Sequence, residues 1–142
     1  MPTEEPPTPR LAPPTGEMKR ANFIGVPAMF NLQAACAMVV DAFGWCVFLV
    51  GSSLERRDYR DVDVRAILDD VEYDRLFPRH AQPQCLDPLW NLMCVSISEW
   101  LASRTGLPID FQIQRHTDAN AEYHGQRSAL GVFVRNSTRG ED

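Results

Sequence analysis

Several things are scarce in this chain, and each scarcity excludes a class. The four cysteines, Cys36, Cys46, Cys85 and Cys94, form no CxxC pair, and no histidine stands at ligand spacing from them. A structural zinc ion needs four close ligands, so such a site is not expected. No uninterrupted apolar run approaches the roughly 18 residues of a membrane span. Nor does a basic stretch lead into an apolar one at the start, so a secretory signal is not expected. Positive charge is also short: 14 Lys and Arg stand against 19 Asp and Glu, a net charge of −5. Proteins with broad duplex-binding surfaces neutralise phosphates with clustered cations, so that class is disfavoured, although a local basic patch is allowed. His80, His116 and His124 have no fixed partner in the sequence and read as surface or loop residues.

What is present suits one soluble domain. The chain has 142 residues, 44% hydrophobic and 23% charged, enough to build a real core. Cys36, Cys46 and Cys94 lie in apolar stretches, where a free cysteine behaves as a small buried hydrophobe. A reducing, cytoplasmic compartment fits that usage better than a disulfide framework. Residues 1–20 hold six of the eleven prolines. So polar a segment cannot offset its ordering entropy and reads as a disordered leader, with a docking arm as the alternative. Residues 21–142 form the single domain.

The periodicity predicts a helix over 28–43, with Pro27 at its start and Gly44 at its end. A short apolar run, 45–50, predicts a buried strand that ends in Gly51-Ser52-Ser53, and 53–58 one or two helical turns. Alternation predicts a second strand over 61–68. A short helix over 71–76 and a loop follow. Asp87-Pro88 caps a helix that Gly106 and Pro108 stop, with Trp90 and Trp100 as core residues. A third strand spans 109–114, a short helix 117–123, and a last edge strand 131–134. The predicted architecture is α+β: a small, twisted, mixed sheet flanked by helices, mainly on one side.

Three features bear on chemistry together. Strand period places Asp61 and Asp63 on one face, while Val62 and Val64 face the core and fix the register. Two like charges on one face need a cationic partner. Magnesium is a natural one, because it takes one or two carboxylates plus substrate phosphates. In the third strand Ile109, Phe111 and Ile113 face the core and leave Asp110 opposite. If that strand pairs beside the second, three carboxylates converge, which suits a two-metal phosphoryl-transfer site. The Gly51-Ser52 turn lets backbone approach a phosphate closely. Arg56, Arg57, Arg60 and Arg65 concentrate positive charge around it. The plainer alternative makes Asp61 and Asp63 a solvated strand face paired with nearby arginines. Asn120, Tyr123, Arg127 and Ser128 either line the cleft or form a capped turn.

Phe48-Leu-Val-Gly-Ser-Ser53, then Arg60-Asp-Val-Asp-Val64, then Asp110 on a strand, resembles the nucleotidyltransferase superfamily, which includes DNA polymerase beta and minimal nucleotidyltransferases. The resemblance covers about residues 28–115. It implies a nucleotidyltransferase-like fold and transfer of a nucleoside monophosphate from a nucleoside triphosphate to an acceptor hydroxyl, with pyrophosphate released. It implies that Gly51 and Ser52, with Ser53, Arg57, Arg60 and Arg65 nearby, hold the nucleotide. Asp61, Asp63 and Asp110 would bind two Mg2+ ions, or Mn2+, and Asp110 would help deprotonate the acceptor. The acceptor could be a small molecule, a protein or an RNA; a partner protein or a second copy could complete the site. The segment Leu54-Glu-Arg-Arg57 departs from the small and glycine residues often seen after the serine. That departure motivates an alternative: a catalytically degenerate nucleotide- or partner-binding module, including an antitoxin-like component.

Overall fold

The structure is a computed structural model and describes residues 23–81 and 87–132. Helix α1 (Val26–Phe43) begins with proline in its first turn. It stops at Gly44, whose φ of 74° places it in the left-handed region and whose N–H caps Val40. Strand β1 (Cys46–Val50) follows, then a single 3₁₀ turn (Ser52–Leu54) where one or two helical turns were expected. Strand β2 (Val62–Leu68) leads into helix α2 (Asp70–Leu76). Helix α3 (Pro88–Thr105) is capped by the Asp87 carboxylate, which accepts from the Leu89 N–H at 2.9 Å, and ends at Gly106. Strand β3 (Ile109–Arg115), helix α4 (His116–Glu122) and strand β4 (Ser128–Leu130) complete the order.

The four strands lie in the order β3-β2-β1-β4. β1 runs antiparallel to both β2 and β4, and β2 runs parallel to β3. The fold is therefore α+β with a mixed sheet flanked by helices. Val47 and Leu49, Val62 and Val64, and Phe111 and Ile113 point to one face. There they form a single core with Leu32 and Cys36 of α1 and Cys94 and Leu101 of α3. α4 packs against β2 and β3. It reaches the opposite face, where Tyr123 at its end meets Arg65, so the helices are not confined to one side.

β3 is an edge strand, and α3 covers its outer backbone. The Ser98 hydroxyl accepts from the Phe111 N–H at 2.8 Å and donates to the Phe111 carbonyl. The Trp90 indole donates to the Ile113 carbonyl at 2.8 Å. These bonds satisfy groups that an open sheet edge would leave unpaired.

Three expectations need correction. The last strand is β4 at 128–130, not 131–134. Gly131, with φ of 76°, turns the chain so close to α1 that a Cβ there would lie 2.7 Å from the Ala37 nitrogen. Residues 133 and 134 lie outside the described residues, as do the leader 1–20 and Cys85. Cys46 is exposed, because alternation along β1 turns it away from the core that holds Cys36 and Cys94. Finally, α1 taken whole is long and apolar enough to cross a membrane, the one such helix among the described residues. In this fold its Leu32, Ala35, Cys36, Val39 and Val40 are buried.

Replacing Ser98 with alanine orphans the Phe111 amide at the sheet edge. Urea unfolding should show a loss of about 1–3 kcal/mol, the usual cost of one unsatisfied buried backbone group.

Candidate functional site

The site is built by the parallel pairing of β2 and β3. Asp63 is the register partner of Asp110, and Arg65 of Gln112. Directly paired residues share a sheet face. Asp63 and Asp110 therefore stand side by side, on the face opposite the core. On the other flank of β2, Asp63 is the partner of Val50. The chain then turns at Gly51, with φ 83° and ψ −156°, a conformation that only glycine adopts readily. A Cβ on Gly51 would collide with Asp63 Oδ2. The glycine turn and the acid pair thus form one cluster at the same corner of the sheet.

Arg65 completes the cluster. It is 4% exposed and lies under the acids rather than reaching into solvent. Its Nη1 donates to the Asp110 carbonyl at 2.6 Å and the Val64 carbonyl at 3.1 Å. Its Nη2 donates to the Tyr123 hydroxyl at 3.1 Å and lies 3.4 Å from Asp110 Oδ2 and 3.8 Å from Asp63 Oδ1. Gln112 donates to the other Asp110 oxygen, Oδ1, at 3.4 Å. The plainer reading above paired Asp61 and Asp63 with nearby arginines; of those two, Asp63 has such a partner in Arg65, which Asp110 shares. The arginine is buried, whereas the Asp63 and Asp110 side chains are 21% and 42% exposed, so the face is partly solvated.

Burial raises the Asp63 pKa. Arg65 opposes that rise, whereas Asp110, Asp61 and Glu122 add to it. Burial likewise raises the Tyr123 pKa, which keeps the phenol protonated. The thiols of Cys36 and Cys94 are pushed up by burial to about 12 and about 11, so neither is a nucleophile near neutral pH.

No protein-family model, curated protein or solved structure matches this chain. Its chemistry has to be read from the site alone.

Of the residues singled out from sequence, the fold gathers Gly51, Asp63, Arg65 and Asp110. Asp61 is exposed and precedes β2. Ser52 is half-buried. Ser53 is fully buried, its carbonyl accepts from the Phe23 N–H, and its hydroxyl has no hydrogen-bond partner among the described residues. Leu54 belongs to the core, which accounts for a large residue after the serines. Arg57 is exposed, with its guanidinium 6.0 Å from the centre of the Phe23 ring, and Arg60 is exposed. Arg56 pairs with Asp58. Tyr123 is the residue that sequence reasoning placed too low. Its hydroxyl touches Arg65, while Arg127 donates to Asn120 beyond it.

The donors are carboxylates, hard oxygen ligands of the kind magnesium takes. Among the described residues, no three His, Cys, Asp or Glu side chains are grouped closely enough to hold a metal ion. Asp63 and Asp110 fit a shared cation by chemistry and register, with Asp61 as the member farther out. Beyond β3, a cleft of about 480 Å3 opens beside Asp110, lined by Trp90, Ser98, Glu99 and Gln112 among others.

Two measurements check this geometry. Gly51→Ala should cost about 1–3 kcal/mol in unfolding experiments, because alanine resists this backbone conformation. Gly125→Ala, with open space around it and no left-handed φ, should not. The second concerns pH. A raised folded-state pKa means that the folded chain holds the Asp63 proton more tightly than the unfolded chain. Ionised Asp63 therefore penalises stability at neutral pH, and the penalty is relieved as pH falls through the raised value toward about 4. Asp63→Asn should melt higher than wild type at pH 7, and the gap should close near pH 4.

Proposed function

We propose that this chain is a magnesium-dependent nucleotidyltransferase with a nucleotidyltransferase-like fold. The reading is supported above all by one observation: Asp63 and Asp110 are register partners beside the Gly51 turn. Three separate elements supply these residues: the turn after β1, β2 and the remote β3. A solvated strand face would not require Gly51 to hold a glycine-only conformation against one of the carboxylates.

On this reading, Gly51 and Ser52 receive the phosphate tail of a nucleoside triphosphate at the end of β1. Asp63 and Asp110, with Asp61 farther out, would hold Mg2+, and Mn2+ has the same donor preference. Bound there, the metal would neutralise charge on the transferring and leaving oxygens. Asp110 borders the cleft beyond β3 and accepts the proton of an acceptor hydroxyl that enters from that side. The acceptor oxygen bonds to the α-phosphorus, the bond to the β-phosphate oxygen breaks, and pyrophosphate leaves. Tyr123 and Arg65 keep the two strands' acids at fixed positions beneath the substrate. Arg57 and Arg60, both exposed near the turn, are available to the triphosphate oxygens.

A second reading is favoured by a specific contact. Arg65 already neutralises part of the acid pair, which suits a module that binds nucleotide without turnover. Calorimetry with a nucleoside triphosphate and magnesium, beside a pyrophosphate-release assay over varied acceptors, separates the two. Binding with release supports the transferase; binding without release supports the module.

For the transferase, Asp61→Ala and Asp63→Ala should each lower labelled-nucleotide transfer by at least about 100-fold, as loss of a metal-holding or transition-state contact does. Circular dichroism should show the fold retained. Wild-type turnover in both variants would overturn the assignment.

A further inference from the structure

The sequence points to Arg65 as a surface cation near the nucleotide, yet the fold buries it. Its side chain is 5% exposed, and its Nε has no hydrogen-bond partner among the described residues. A guanidinium removed from water so completely needs anionic partners to offset the lost hydration. Two carboxylates lie within ion-pair distance, Asp63 and Asp110, and one nitrogen, Nη2, serves both.

The distances divide the arginine's work. The short contacts go to neutral acceptors: the Asp110 carbonyl at 2.6 Å, with the Val64 carbonyl and the Tyr123 hydroxyl both at 3.1 Å. These fix where the guanidinium sits. The carboxylate oxygens lie at 3.4 and 3.8 Å, longer than the roughly 2.7–2.9 Å of a charge-assisted hydrogen bond. What Arg65 supplies to the acids is therefore charge, placed between them, more than directional bonding.

We infer that Arg65 is a positioning residue that acts as the resident counter-cation of the Asp63–Asp110 pair, filling in the cation-free protein the neutralising role that a divalent ion can fill instead. The inference rests on the acid pair of the proposed active site but not on turnover there. It implies that the folded chain tolerates two adjacent, partly buried carboxylates only when some cation accompanies them. Removing the guanidinium should transfer that requirement to solution ions.

The test is thermal unfolding of Arg65→Gln in EDTA and in millimolar MgCl2, without nucleotide. In EDTA the variant should melt lower than wild type by at least about 5 °C, as expected when adjacent, partly buried acids lose their partner. Magnesium should restore at least half of that loss, while shifting wild type less. Adding Asp110→Asn to Arg65→Gln should raise the melting temperature in EDTA and abolish the magnesium response. If Arg65→Gln fails to fold in EDTA, refolding on addition of magnesium, followed by circular dichroism, supports the inference equally. Arg65→Lys keeps the charge but loses the fork's hydrogen bonds, and in EDTA it should melt between Arg65→Gln and wild type. An unchanged melting temperature for Arg65→Gln overturns the inference, as does a loss that magnesium does not restore or an Arg65→Lys variant as damaged as Arg65→Gln. Pyrophosphate release by the wild type is scored separately. Release without magnesium rescue of Arg65→Gln removes this role and leaves the transferase standing; rescue without release does the reverse.

Discussion

The parallel pairing of β2 with β3 is the constraint on which the rest of this molecule turns. It makes Asp63 and Asp110 neighbours although 46 residues separate them. A parallel pair cannot be joined by a tight turn; it needs a crossover of a dozen residues or more. Here α2 and α3 supply that crossover. α3 then returns along the outer side of β3, and Ser98 and Trp90 close the strand's exposed backbone. The connection that brings the acids together thus also holds the strand that carries one of them. The loose end of β2 is tied as well, because the Val62 amide donates to the Pro108 carbonyl where β3 begins.

Bringing two carboxylates together on a partly buried face is unfavourable unless charge is compensated. The protein answers from beneath. Arg65, two residues after Asp63 on the same face of β2, runs under the pair and is clamped by the Asp110 carbonyl and by Tyr123. α4, which carries the chain from β3 toward β4, thereby becomes part of the site although it holds none of the acids. Gly51 answers from the side: its missing side chain leaves room for Asp63 Oδ2. The compensation is incomplete, since burial still raises the Asp63 pKa against the pull of Arg65.

Much of this was legible beforehand, for identifiable reasons. The caps of α1 and α3 are local chemistry: Pro27 and Gly44, Asp87 and Gly106 act within one turn of the helix they bound. The faces of β2 and β3 follow from alternation, so Val62, Val64, Phe111 and Ile113 announced the core and Asp63 and Asp110 the opposite side. What sequence could not supply was the depth of a side chain. Arg65 reads as a surface cation because its charge is visible and its burial is not; that depends on Tyr123, 58 residues away. Cys46 misleads in the other sense, an apolar neighbourhood hiding an outward position at the start of a strand. The end of the sheet was misplaced because Gly131 closes on the α1 backbone, a contact made 94 residues back at Ala37.

The charge at this corner also bears on how a ligand can approach. Asp61, Asp63 and Asp110 carry three negative charges when ionised, and Arg65 returns one. A nucleotide's phosphate tail is itself strongly anionic, so it meets repulsion from the acids unless cations arrive with it or before it. Arg57 and Arg60 are exposed by the turn and Arg56 is paired with Asp58, so the positive charge free to move lies at the rim rather than among the acids. A buried guanidinium cannot leave its three neutral acceptors without breaking the tie between β2, β3 and α4. The fixed charge thus serves the protein's own carboxylates, and compensation for an incoming phosphate has to come from the rim arginines or from cations in solution. On the proposed reading, affinity for a nucleotide would therefore rise and fall with divalent cations rather than with Arg65.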